Sequence, residues 1–282
     1  YLHTLELGRN KIRMLPAVAQ FPVLAQLDLG ANDIRDLSSL GTFSRLRGLN
    51  VGSSGKLRSL AAIGGLTNLV NLQLWNVRVG DLAPLAAMSD LSSLYVYDDS
   101  ITSVAPLAGL NRLYLLHVGG AKVTSMAPLA GLADIRSAYV FGRQLPDVNV
   151  VGAWPKLNEL MLFDRSVRGL NELVGLPALN SLSLFRIGVT DFAALQSVPH
   201  LNRLLLWTMR VTDLQQIMGI ASLSQLIADS CQLGGGPAKI TVADLEDIGV
   251  DVTVYKKGLL ATGWVSTRQL VGSALDDVSW FN

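Results

Sequence analysis

A spacing of 22 residues constrains this chain more than any other feature of its sequence. The pattern Leu2-x-x-Leu5-x-Leu7 returns as Leu24/Leu27/Leu29, Leu46/Leu49/Val51 and Leu69/Leu72/Leu74, and it continues to Leu223/Leu226/Ala228, eleven times in all. One step runs long: Leu49 to Leu72 spans 23 residues, and the extra residue falls in the turn-rich Gly52-Ser53-Ser54-Gly55-Lys56. A second apolar pair follows each unit's middle leucine, for example Ile34 and Leu37, Ile101 and Val104, or Val211 and Leu214. Short proline-bearing stretches come next, such as Ala83-Pro84-Leu85 and Ala105-Pro106-Leu107. The x-Leu-x-Leu alternation is a short strand, and the segment after it has room for a helical or 3-10 turn only. No single unit can bury both apolar rows. Stacked units bury them in one ribbon-like core, so the period predicts a solenoid rather than the two globular domains that 282 residues would otherwise suggest.

Composition removes several function classes. Half of the residues are hydrophobic, 16% are charged and the net charge is +1, which leaves no bulk attraction to nucleic acid or anionic lipid. The charge-free stretch Ser59–Val77 carries Thr67, Asn68, Asn71, Gln73 and Asn76, so no transmembrane segment is expected there or elsewhere. A single cysteine, Cys231, rules out an internal disulfide and a Cys/His zinc cluster. Nothing in the sequence asks for a cofactor. No Asn-x-Ser/Thr site occurs, and with the lone cysteine this leans towards an intracellular, cytoplasmic setting, with a bacterial surface still compatible.

The motif Leu-x-x-Leu-x-Leu-x-x-Asn-x-Ile-x-Asp-Leu, as it stands from Leu24 to Leu37, resembles a leucine-rich repeat. The 22-residue length and Asp81-Leu-Ala-Pro-Leu85 resemble the short subclass found in internalin-type bacterial proteins, bacterial NACHT-type immune receptors and a phosphatase-1 regulatory subunit. The resemblance implies an α/β solenoid: a right-handed horseshoe of about eleven repeats with a parallel concave sheet, short helical or 3-10 convex turns and a C-terminal cap. The repeats would occupy 1–233, the cap 234–258, and a tail without a clear period 259–282. Thr241-Val-Ala-Asp244 predicts a capping box opening a helix to about Ile248, and Val250–Val254 alternates as a further strand. At the other end nothing covers Leu2, Leu5 and Leu7, from which upstream sequence is expected. The family's ladder asparagine survives at Asn10 and Asn32 and then becomes Ser54, Val77, Asp99, Ala121, Arg143, Arg165, Ile187, Met209 and Cys231, so the units must be tied on that side by backbone or water.

Strand residues pointing away from the leucine core lie on the concave face. The column after the paired leucines reads Gly8, Gly30, Gly52, Trp75, Tyr97, Gly119, Phe141, Phe163, Phe185, Trp207 and Asp229, with six of the seven positions from Trp75 to Trp207 aromatic. The column between the leucines adds Tyr95, His117, Tyr139 and Met161. Aromatic and Met side chains favour protein contacts, so these ten residues (the six rings and these four) predict a face for a protein or peptide, or for another domain of the same native chain. The competing reading is a stabilising ladder of rings. Exposure would leave Phe163→Ala within roughly 1 kcal/mol of the parent. Gly119 and Gly120 read as a notch between Tyr97 and Phe141 into which a partner's side chain inserts. Asp98, Glu159, Asp164, Arg186, Arg203 and Asp229 would form a mixed-sign rim. Arg78, Lys122, Arg143, Arg165, Arg168 and Arg210 beside the aromatics admit single-stranded nucleic acid as a lesser reading, the plainer one being charges that balance Asp36, Asp81, Asp191 and Asp213. His3, His200 and His117 fall in separate repeats, Cys231 sits at a ladder position, and Gly234-Gly235-Gly236 lacks the Lys-Ser/Thr of a phosphate loop. The sequence therefore reads as a non-enzymatic recognition scaffold. Its alternatives are a regulatory or sensor domain, immune-receptor-like or phosphatase-regulator-like, and a bacterial surface adhesin.

Overall fold

The computed structural model describes residues 2–15, 21–142, 148–233, 241–256 and 259–260, with the side chains from 255 onward left aside. Each Leu-x-Leu becomes one strand. They run as β1 (Thr4–Glu6), β2 (Gln26–Asp28), β3 (Gly48–Asn50), β4 (Asn71–Gln73), β5 (Ser93–Tyr97), β6 (Leu115–Gly119), β7 (Ser137–Phe141), β8 (Glu159–Phe163), β9 (Ser181–Phe185) and β10 (Arg203–Trp207). The short β11 (Arg210–Val211) and β13 (Gln232–Leu233) form a separate parallel pair, and β12 (Gln225–Asp229) continues the main sheet. Twelve parallel strands stack in sequence order, from β1 through β10 to β12 and β14 (Asp251–Lys256), and β15 (Leu259–Leu260) adds an antiparallel edge. Register follows the 22-residue step: Leu160 pairs with Leu182, Leu182 with Leu204, and Leu204 with Leu226.

The sheet's inner face and the convex turns enclose one core that runs the length of the stack, from Leu24 and Leu27 to Leu226 and Leu245. Trp154 is fully buried in it and donates its indole N–H to Leu129 O at 3.0 Å. The convex side is built from 3-10 turns, among them Ser38–Leu40, Ala83–Leu85, Ala105–Leu107 and Ala127–Leu129, together with one α-turn, α1 (Gln215–Met218). Their starts are capped two residues upstream. Asp36, Asp81, Asp191 and Asp213 accept the backbone N–H of Ser38, Ala83, Ala193 and Gln215 at 2.8–3.0 Å. Ser59, Ser103 and Ser125 do the same with their hydroxyls at 3.2 Å. This corrects the reading of those four aspartates as mere counter-charges: they satisfy donors that the turn leaves orphaned.

The ladder positions divide the work. Asn32 is buried, donating to Leu7 O and Leu29 O and accepting from Ile12 N. Cys231 fills the same place, its thiol donating to Leu206 O at 3.4 Å and Asp229 O at 3.3 Å. Where the position is Val77, Ile187 or Met209 the side chain is buried instead, and the same main-chain bonds join units of both kinds: Arg9 N to Gly30 O and Ala31 N to Gly52 O beside asparagines, Asn76 N to Tyr97 O and Arg186 N to Trp207 O beside apolar residues. The expected backbone tie is thus present, and it is common to both kinds of unit rather than a replacement for the asparagine.

At the C-terminal end the capping box forms at Thr241, whose N–H donates to Asp244 and whose hydroxyl accepts Asp244 N–H. The helix it opens, α2, covers Val242–Asp247, one residue short of the expected end. The strand begins at Asp251 rather than Val250, which is 5% exposed and packs inward. Gly234–Pro237 and most of the tail lie outside the described residues. At the opposite end Leu2 is 43% exposed and Leu5 and Leu7 are half-buried, while Leu29 in the next unit is fully buried.

Candidate partner-binding surface

The concave face changes character along the stack. β1 to β4 have three residues each, whereas β5 to β10 and β12 have five. In β2 and β3 the shortness has a local cause. Asp28 Oδ1 accepts Gly30 N at 2.7 Å and Asn50 Oδ1 accepts Gly52 N at 2.9 Å, so an Asx turn takes the N–H that would continue the ladder. Asn50 also donates to Asp28 across the strands at 3.0 Å. From β5 onward the position between the leucines holds Tyr95, His117, Tyr139, Met161, Ser183, Leu205 and Ile227 in place of these competitors, and from the β5–β6 pair on the pairing extends two residue pairs further, as in Tyr97 opposite Gly119 and Phe163 opposite Phe185.

On the longer strands a second apolar cluster forms on the outer face of the sheet. Tyr139, Met161, Phe185, Leu205 and Ile227 are each less than a tenth exposed, and Phe141, Phe163 and Trp207 pack around them half-buried. Ring contacts run along both columns. His117 lies between Tyr95 and Tyr139 with centroids at 4.2 and 3.8 Å, nearly parallel to the latter. In the outer column Tyr97 and Phe141 are 5.0 Å apart, Phe141 and Phe163 6.5 Å, and Phe185 and Trp207 5.0 Å. The ten predicted residues therefore share one face, but three of them, Tyr139, Met161 and Phe185, are buried beneath their neighbours. Trp75, Tyr95, Tyr97, His117, Phe141, Phe163 and Trp207 keep partial exposure. Leu205 and Ile227 were missed by the sequence reading, although they continue the Tyr95-to-Met161 column. Their signal was in the period itself.

The expected notch is closed. Tyr97 and Phe141 stand on strands roughly 9.6 Å apart, yet their rings lean together to 5.0 Å over Gly119. Gly119 has φ +152°, and a Cβ there would come within 1.9 Å of Phe141 O. The glycine is required by backbone conformation and close approach, and it presents no cavity. Likewise a Cβ at Gly52 would meet the Trp75 indole at 2.4 Å, which shows Trp75 lying back over the glycine.

Electrostatics on this face are quiet. Burial pushes the His117 imidazole down from 6.5 to about 3, so it is neutral near pH 7 and stacks as an uncharged ring. Burial, and then Glu159, hold the Tyr139 phenol above its ordinary value, and the phenol donates to Glu159 at 3.3 Å. Glu159 also accepts from Ser137 Oγ at 3.0 Å. The expected rim is partly structural: buried Asp164 binds Ser166 N and Oγ, Asp98 binds Arg78 N and Ser100 N, and Asp229 binds Ser230 Oγ. Burial raises the Cys231 thiol, the opposite of what a nucleophile needs.

No protein-family model matches the sequence, and no curated protein does. Solved structures do. An internalin, InlF, from Listeria monocytogenes superposes with TM-score 0.69 at 22% identity over 90% of this chain and 80% of that one. Internalin C2 of the same organism gives 0.60 at 27% identity over 64% and 80%. The functional domain of InlJ, described as including a cysteine ladder, gives 0.55 at 17% identity over 81% and 54%. Short strands paired in register at a 22-residue step, 3-10 turns on the convex side and these neighbours together make the chain a leucine-rich-repeat solenoid of the internalin type of fold.

Proposed function

We propose that this chain is a non-enzymatic recognition scaffold that binds a protein or peptide on the aromatic part of its concave face. The observation carrying this reading is the half-exposed row Tyr97, Phe141, Phe163 and Trp207, held on the rigid second cluster of Tyr139, Met161, Phe185, Leu205 and Ile227. Solenoids of this kind use the concave surface for extended partners, and pre-packed aromatic side chains contribute binding area at low entropy cost. A row from Trp75 to Trp207 spans six strand spacings, roughly 29 Å, which suits a protein segment better than a small molecule. Selecting peptides from a displayed library against the chain tests it. Recovered binders should carry apolar anchors and weaken at least tenfold on Trp207→Ala or Phe163→Ala, with Asn50→Ala neutral. Binders indifferent to both aromatic substitutions would contradict the reading.

A further inference from the structure

Three arginines line a shallow depression of about 460 Å³ with Ile187, Gly188 and Thr208: Arg165 and Arg168 from one unit, and Arg186 from the next. It borders the aromatic row, since Arg186 follows Phe185, Thr208 follows Trp207, and Arg165 lies two residues past Phe163. Arg168 is anchored. Its guanidinium donates to Arg165 O, and it lies so near Gly188 that a Cβ there would sit 1.9 Å from Nη1. A guanidinium held by the backbone loses little freedom when an oxyanion takes its other donors. Three exposed cations elsewhere face a carboxylate of the preceding unit: Lys56 with Asp33, Arg112 with Asp90 and Lys156 with Asp134. Among the described residues no such ion pair involves Arg165, Arg168 or Arg186.

We propose that this depression receives Asp or Glu side chains of a protein segment whose adjacent apolar residue packs on Phe163 and Trp207. The inference rests on the concave-face reading and gives the partner's chemistry: acidic beside apolar. Guanidinium forks match carboxylates in two-bond geometry, and charge complementarity of this kind selects among partners. A nucleic acid is disfavoured, because the basic residues form a compact cluster on a chain of net charge +1 and Phe185, 5% exposed, offers no open face for a base.

The test uses two synthetic peptides, acetyl-Gly-Phe-Glu-Glu-Gly-amide and its Gln-Gln counterpart, with a dT octamer as a third probe, read through the arginine Nε–H resonances of the chain. The acidic peptide should shift Arg165, Arg168 and Arg186 along one saturable curve, bind at least tenfold tighter than the Gln form, and lose that advantage in the Arg165→Gln/Arg186→Gln double variant. Equal affinity for both peptides overturns the proposal, as do uniform shifts of all exposed arginines or tighter binding of the octamer. Library-selected binders that depend on Trp207 while the arginines stay silent would sink this site alone and leave the recognition face standing. An arginine response unchanged in Trp207→Ala would overturn the proposal too, because the apolar neighbour would then not pack on the aromatic row.

Discussion

The two ends of the concave face share one backbone and differ in almost everything laid upon it. In β2 and β3 the position between the core leucines is Asp28 or Asn50, the next column holds Gly30 and Gly52, and the polar groups satisfy one another through Asx turns and the Asn50–Asp28 bond. In β5 to β10 and β12 the same positions hold Tyr95, His117, Tyr139, Met161, Leu205 and Ile227, with the small Ser183 as the one polar interruption, beside a row of rings. The core leucines beneath are equally buried in both, for instance Leu49 at 2% and Leu160 at 0% exposure. Folding therefore does not demand the aromatic surface. The solenoid closes its core with either, so the second cluster is an added layer whose outer rings remain available for contact.

The largest break in the comparison should come from truncating that layer. Phe185→Ala is expected to cost about 3–5 kcal/mol by urea denaturation, because the ring is buried on the outer face, whereas Asn50→Ala should cost about 1 kcal/mol. Half-buried Phe163 belongs between them, near 2 kcal/mol, which replaces the near-neutral expectation for an exposed ring. Equal small losses at Phe185 and Asn50 would mean that the second cluster is not packed.

Glycine at the centre comes next. Gly119→Ala forces a side chain into φ +152° and against Phe141 O, at an expected cost of about 2–3 kcal/mol, and Gly119→Trp should unfold this region rather than fill a notch. Retained stability in the Trp variant would reopen the notch.

Between pH 7 and pH 5 acid should weaken the aromatic part through His117. The folded-state His117 value of about 3 lies below the ordinary 6.5, so the unfolded chain binds the proton first. The contribution is fully present above about pH 6.5 and is lost as pH falls towards 3, roughly 2 kcal/mol of it between pH 7 and pH 5. His117→Phe should flatten that slope. A slope that survives the substitution places the titrating group elsewhere.

The smallest effect sits on the convex side, where both ends are alike. Asp36→Ala and Asp81→Ala should each cost about 1 kcal/mol by removing the acceptor for a turn's first N–H.

The period made the fold legible because core burial recurs at every step and tolerates almost no exception. It also located the concave columns, including all ten candidate residues. What escaped was the third dimension of the side chains. Nothing in the spacing told that Tyr97 and Phe141 would lean over Gly119, or that Phe185 would be roofed by Trp207, since ring orientation follows from packing across strands. The caps at Asp36, Asp81, Asp191 and Asp213 were visible as a recurring Asp or Ser two residues before most turns, Gly169 being an exception, and reading them as charges rather than acceptors hid their role. Leu205 and Ile227 escaped because only aromatic and Met side chains were followed along the column, and Ser183 interrupts it between Met161 and Leu205.

The central claim is that partners meet the aromatic end and not the polar one. A photo-reactive benzoylphenylalanine placed at Phe163, and in a second protein at Asn50, puts the same probe on both ends of one face. After irradiation in a lysate, cross-linked protein partners should accumulate at position 163 in a pattern that excess unlabelled chain competes away, with little or nothing competable at position 50. Competable cross-links at position 50 with none at 163, or equal yields at both, would contradict the account.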